Sequence, residues 1–125
     1  MVGMATSTGS SDPAAPLSVT TERSDRVMLV EIAGELELLN APRVEEVLKA
    51  ALEESPGVVV VDITGVTFLS SAGLAVLVRA RHRAGPDTGF RVVASGSATL
   101  RPIQLTGLDQ ELEVYPSREK AMAGT

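Results

Sequence analysis

Residues 58–85 read VVVVDITGVTFLSSAGLAVLVRARHRAG. The four valines, Val58, Val59, Val60 and Val61, show no polar alternation. A β-branched run of this kind, closed by a turn, predicts a central strand covered on both faces. Asp62 comes next and predicts a strand-end carboxylate that bonds the turn behind it. The stretch then enters a helix at Ser70 and Ser71, with Leu74, Leu77 and Val78 marking its buried side. Gly85 supplies a C′ residue and Pro86 forbids continuation. Buried strand, short turn and helix form half of a β-α-β unit, and that decides the class of fold.

The same pattern extends in both directions. LSVTTE (17–22) and RVMLVEIAG (26–34) predict two strands joined by a turn at RSD (23–25). Met28, Val30 and Ile32 share one face of the second strand by the two-residue period. Val44, Val47, Leu48, Ala51 and Leu52 then keep the i, i+3, i+4 spacing of a buried helical stripe. Asn40 is the expected N-cap of that helix, Pro42 is tolerated in its first turn, and Pro56 with Gly57 stops it. Downstream, FRVVAS (90–95) predicts a strand. A short helix is expected from a cap at Ser97 to a stop at Gly107, and LEVYPSREKAMA (112–123) gives a last strand and helical turn.

The order β-β-α-β-α-β-α-β-α predicts an α/β domain. Its sheet is mixed and largely parallel, with an N-terminal hairpin and helices packed mainly on one face. The valine run also asks for cover on the other face, which the hairpin or the N-terminal segment could provide. Residues 1–16, rich in Ser, Thr, Gly, Ala and Pro, predict a flexible tail, leaving 17–125 as the domain.

Composition narrows the chemistry. The formal charge is −5, and Phe68, Phe90 and Tyr115 are the only aromatics. Neither a basic nucleic-acid surface nor a base-stacking platform is signalled. The longest aliphatic run is too short to cross a bilayer, and the N-terminus has no secretory pattern. The expectation is a cytoplasmic protein without direct nucleic-acid or membrane binding. Neither GxGxxG nor GxxxxGK[ST] occurs, there is no cysteine, and His82 is the only histidine. No cofactor and no metal site are therefore predicted.

Ser71 and His82 lie eleven residues apart on one predicted helix, about 16 Å along its axis. That spacing excludes a serine–histidine pair within the chain. Asp62 also lacks the acidic pair and the following lysine of a phospho-accepting receiver domain. No enzyme is expected.

GELELLNAPRVEEVL (34–48), with VVVVDITGVTFLSSAGLAVL (58–77) after it, resembles the STAS domain of bacterial anti-sigma factor antagonists. The first family motif, Gly-Glu-Leu/Ile-Asp, reads Gly34, Glu35, Leu36, Glu37 here. The second, Asp-x-Ser/Thr-x-Val-x-Phe-Ile/Leu/Met-Asp-Ser-Ser/Thr-Gly-Leu, reads Asp62, Thr64, Val66, Phe68, Leu69, Ser70, Ser71, Ala72, Gly73, Leu74. The likeness covers about residues 17–120.

The resemblance implies that Ser71 is the phosphorylation site. It also implies partner switching in a stress-type response. The unphosphorylated protein binds an anti-sigma factor that is also a serine kinase, a sigma factor is released, and phosphorylation reverses this. A PP2C-type phosphatase resets the cycle. Ser70 replaces the motif Asp and Ala72 the second hydroxyl residue. An alternative is therefore a phosphorylation-independent STAS module that acts as a scaffold.

Helical spacing places Ser71, Ala75, Arg79 and His82 on a solvent-facing stripe, away from Leu74. The resemblance and this face together put Glu37, Asn40, Ser70, Ala72, Gly73, Ala75 and Arg79 at the partner-binding surface. Gly73 costs helix stability in that place, so something is expected to approach it closely, either the facing strand or a partner.

Overall fold

A computed structural model describes residues 17–123, so the expected 1–16 tail lies outside the described residues. Strand β1 (Ser18–Ser24) and strand β2 (Val27–Leu36) form the N-terminal hairpin. Its turn is Asp25 and Arg26, one residue later than the sequence suggested, with Asp25 at φ 58°. Helix α1 (Ala41–Glu53), strand β3 (Val58–Leu69) and helix α2 (Ser71–Ala84) come next. Strand β4 (Gly89–Val93), helix α3 (Leu100–Leu105), a 3-10 turn (Leu108–Gln110), strand β5 (Glu113–Tyr115) and helix α4 (Arg118–Ala123) complete the order.

The strands lie side by side in chain order. β1 is antiparallel to β2, and β2, β3, β4 and β5 are mutually parallel. The sheet is mixed and largely parallel, as the alternation of elements predicted. Each crossover helix returns the chain to the same end of the sheet, so the C-terminal ends of the parallel strands all point one way.

The valine run divides by parity. Val59 and Val61 belong to the larger core under the helices, together with Ile32, Leu36, Val44, Leu48, Leu77 and Ile103. Val58 and Val60 face the other way, into a smaller core with Leu29, Val93 and Ala121. The cover on this second face is α4, whose Ala121 is fully buried. That differs from the hairpin cover expected, and the N-terminal segment, the other cover expected, lies outside the described residues. A six-residue helix has only Ala121 and Met122 to bury, which is too little apolar pattern to mark it as a covering element.

Asp62 corrects a second expectation. It does bond the residue two positions on: its Oδ1 accepts from the Thr64 amide at 2.9 Å and the Thr64 hydroxyl at 2.7 Å. Yet the strand does not end there. Two bulges let β3 continue to Leu69, because its register against β2 slips between Glu31 and Ala33 and again between Gly34 and Glu35. An Asp that bonds two residues on reads as a turn in sequence, and inside a ladder the same bond accommodates an extra residue. In α2, Val76 is buried and Val78 only half-buried, a small rotation of the expected stripe. The N-cap of α3 is Thr99, not Ser97. Its hydroxyl donates to the Ser95 carbonyl rather than capping the helix.

The second face is locked by charge. Asp62 is 6% exposed. Its Oδ2 accepts from Arg118 Nε at 2.5 Å, and the same guanidinium bonds Glu31. Burial alone would raise the Asp62 carboxyl, but hydrogen bonds from the Thr64 amide, Arg118 and the Thr64 hydroxyl outweigh it and hold the group below its ordinary range.

A depressed carboxylate stabilises the fold above its unfolded pKa of about 3.9, and the contribution disappears as pH falls through the lower, folded value. Arg118→Ala removes the guanidinium that helps depress it. Acid unfolding of that variant, monitored by circular dichroism, is expected to begin at a higher pH than in the wild type. An unchanged acid transition would show that Arg118 does not hold this carboxylate.

Candidate functional site

Both sequence motifs meet at one end of the sheet. β2 and β3 finish in register, with Leu36 opposite Leu69 and Glu35 opposite Phe68. The amide of Ser70 donates to the Leu36 carbonyl at 2.9 Å, tying the start of α2 to the end of β2. The two serines then separate in role. Ser70 has an extended backbone and its Oγ accepts from the Gly73 amide at 3.2 Å, so it is the N-cap. Ser71 is the first helical residue and is exposed, and its hydroxyl makes no hydrogen bond among the described residues.

Ser70→Ala should therefore cost about 1 kcal/mol, as a lost cap does. Ser71→Ala should stay within about 0.5 kcal/mol, as a surface change does. Urea denaturation checks both, and the reverse ranking would mean that the two serines have been exchanged.

Gly73 is buried. A Cβ there would lie 2.7 Å from Leu36 Cγ and 2.9 Å from Leu69 Cδ1. The close approach is thus made by the strand ends, and Gly73 serves the surface from beneath by letting α2 sit down on β2 and β3. Ser71, Arg79 and His82 are exposed as the spacing predicted, while Ala75, expected on the same stripe, is half-buried like Ala72.

Arg79 grips Glu45 of α1 with two bonds, Nε to Oε2 at 2.7 Å and a second guanidinium nitrogen to Oε1 at 2.9 Å. The Arg79 hydrogen bond holds the Glu45 carboxyl below its ordinary range. At the other end of α2, His82 Nε2 lies 3.5 Å from Glu111 Oε1.

The turn between β2 and α1 is closed on itself. Asn40 Oδ1 accepts from the Glu37 amide at 2.9 Å, and Asn40 Nδ2 donates to the Glu35 carbonyl at 2.8 Å. Glu37 Oε1 accepts from the Leu39 amide at 2.9 Å, and the Glu37 carbonyl accepts from the amides of Asn40 and Ala41. Asn40 occupies the N-cap position but makes no side-chain cap. Its side chain is committed to the turn, which corrects the expected role.

Sequence reasoning missed the residues this turn displays. Leu38 is 72% exposed, Leu39 86% and Phe68 53%. A signal was present: Leu38 and Leu39 are adjacent and precede the first helical residue, so neither a strand alternation nor the α1 stripe claims both.

The chemistry available here is that of exposed apolar side chains beside the exposed Ser71 hydroxyl. No cluster of His, Cys, Asp and Glu among the described residues could hold a metal ion, and no helix among them is long and apolar enough to cross a membrane. On the second face, a shallow hollow includes Glu31, Asp62 and Thr64, but Arg118 already bonds both carboxylates.

Comparisons with known proteins bear on the family and the fold. The STAS domain family matches residues 18–121. The anti-sigma-F factor antagonist RsfB of Mycobacterium tuberculosis is 36% identical over 112 residues, covering 88% of this chain and 92% of that protein. The crystal structure of an anti-sigma factor antagonist from Mycobacterium paratuberculosis superposes with a TM-score of 0.84 at 38% identity, covering 87% of this chain and 93% of the other. SpoIIAA, an anti-sigma factor antagonist solved in its unphosphorylated form, shares the fold. Its TM-score is 0.69 at 12% identity, with 84% of this chain and 93% of that one covered.

Proposed function

The chain belongs to the STAS-domain family, and from that premise we propose that it is an anti-sigma factor antagonist working by partner switching. In its unphosphorylated form it binds an anti-sigma factor in the cytoplasm, and a sigma factor is released. The anti-sigma factor, acting as a serine kinase, transfers the γ-phosphoryl group of ATP to the Ser71 oxygen, and the complex dissociates. A PP2C-type phosphatase hydrolyses the phosphoserine and restores the binding form. The relatives' names support the antagonist role.

The observation that carries the reading is the division of labour at the helix start: Ser70 is committed to the cap, and Ser71 is exposed on the surface where both motifs meet. A phosphate on Ser71 adds about −1.5 to −2 charge at pH 7. It would stand at the N-terminus of a fourteen-residue helix, where unpaired amides and the dipole favour an anion. The fold tolerates it, and the partner's apolar contacts do not. A scaffold that is never phosphorylated is the second reading, and it rests on Ser70 and Ala72 standing where the family carries Asp and a hydroxyl residue.

The test is to mix the purified chain with each anti-sigma factor of its own genome, add ATP, and map phosphate by mass spectrometry. One phosphate on Ser71 is expected, and it should persist in Ser70→Ala. Stable binding with no phosphate would favour the scaffold, and phosphate on Ser70 would overturn the assignment.

A further inference from the structure

Three of the four large hydrophobic side chains exposed among the described residues lie at the two motifs: Leu38 and Leu39 directly follow the first, and Phe68 stands in the second, three residues before Ser71. Exposed leucines on a floppy loop would carry little meaning. These two sit on a turn held by five internal hydrogen bonds, three of them from Asn40 and Glu37 side chains. The polar groups satisfy one another, and the leucines are left facing water in one geometry. A surface that has already lost its loop entropy gives up less on binding, so more of the apolar burial appears as affinity.

We infer that Leu38 and Leu39 are the anchor of the partner interface, and that Glu37 and Asn40 are positioning residues that hold the anchor out. The inference rests on the antagonist reading above and deepens it. The occupant is the anti-sigma factor, for two reasons. The turn is continuous with the surface of Ser71, since the Ser70 amide bonds the Leu36 carbonyl and Leu36 lies against Gly73. In the stretch 35–46, Arg79 pairs Glu45, and Glu35, Glu37 and Glu46 remain against Arg43, so a second copy of this chain would bring like charges together. The complementary surface is an apolar pocket with a basic rim.

The test is the dissociation constant, by calorimetry, for the anti-sigma factor that the wild-type chain binds. Leu38→Ser and Leu39→Ser are each expected to weaken binding by roughly tenfold, the loss typical of a buried anchor. Leu105→Ser, at an exposed leucine on α3, should leave it unchanged. All three positions are exposed, so thermal midpoints should stay near wild type and separate lost contact from lost fold.

Asn40→Ala should also weaken binding. Combined with Leu39→Ser its effect should be less than additive, because Asn40 acts through the leucine. Full additivity would overturn the positioning role. Wild-type affinity in both leucine variants would overturn the anchor while leaving the antagonist reading intact. A wild-type chain that binds no anti-sigma factor of its genome would instead overturn the antagonist reading itself. A Leu39→Ser change that alters the oligomeric state of the free chain would show the occupant to be a second copy.

Discussion

Ser71→Asp is expected to weaken anti-sigma factor binding by about a hundredfold, whereas Ser71→Ala should bind as tightly as wild type and no longer respond to ATP. The size reflects the surroundings of the position. Ser71 heads the exposed stripe of α2, with half-buried Ala72 and Ala75 beside it and the leucine-bearing turn adjoining through Leu36. A partner covering this surface removes its water. A carboxylate enclosed against the apolar part of the partner's surface costs about 3 kcal/mol or more, which is about two orders of magnitude in affinity.

The helix itself should not suffer. An acidic residue in the first turn of α2 meets the positive end of the helix dipole and is stabilising by a few tenths of a kcal/mol. The signature is therefore specific: a thermal midpoint equal to or above wild type together with lost binding. A variant that loses both would mean that Ser71 belongs to the core, and one that loses neither would leave the scaffold reading.

Leu48→Ala is expected to destabilise the fold by about 2–5 kcal/mol and to lower the thermal midpoint by about 10 °C or more. Leu48 is fully buried on α1, in the core shared with Val44, Ile32, Val61 and Leu77. Truncation removes three carbons from a position where sheet and two helices meet, and a rigid sheet cannot close the gap. Calorimetry of the purified variant checks it. A midpoint unchanged from wild type would mean that this stripe does not face the sheet. The variant should still bind its partner below its midpoint, since Leu48 lies beneath the surface that Ser71 occupies.

The placements of Ser71 and Leu48 were legible in the sequence because each depends on a period. One residue of helix turns the chain by about 100°, so a buried stripe through Val44 and Leu48, and an exposed one through Ser71 and Arg79, can be counted out. The strand length was not legible in this way. Asp62 makes the same bond to Thr64 in a turn or in a bulge, and only the neighbouring strand decides which. The role of Asn40 was hidden for a similar reason: a side-chain amide that caps a helix and one that closes a turn use the same atoms, and the backbone alone assigns them.

The cover on the second face was obscured by brevity. The helical turn was expected, but six residues carry too little apolar pattern to show that it covers a face, and Arg118, which fixes α4 to Asp62 and Glu31, shows its partners only once residues far apart in sequence are brought together. Leu38 and Leu39 were overlooked because they fall between the strand alternation and the helical stripe, and only the folded turn shows them exposed.

The most direct measurement is a three-component reconstitution. The anti-sigma factor and its sigma factor are purified as a complex, this chain is added, and free sigma factor is monitored by size-exclusion chromatography before and after ATP. Partner switching predicts release of the sigma factor by the unphosphorylated chain, recapture after ATP with phosphate on Ser71, and no recapture with Ser71→Ala. Sigma factor that stays bound when the unphosphorylated chain is added in excess, or recapture that proceeds equally with Ser71→Ala, would contradict it.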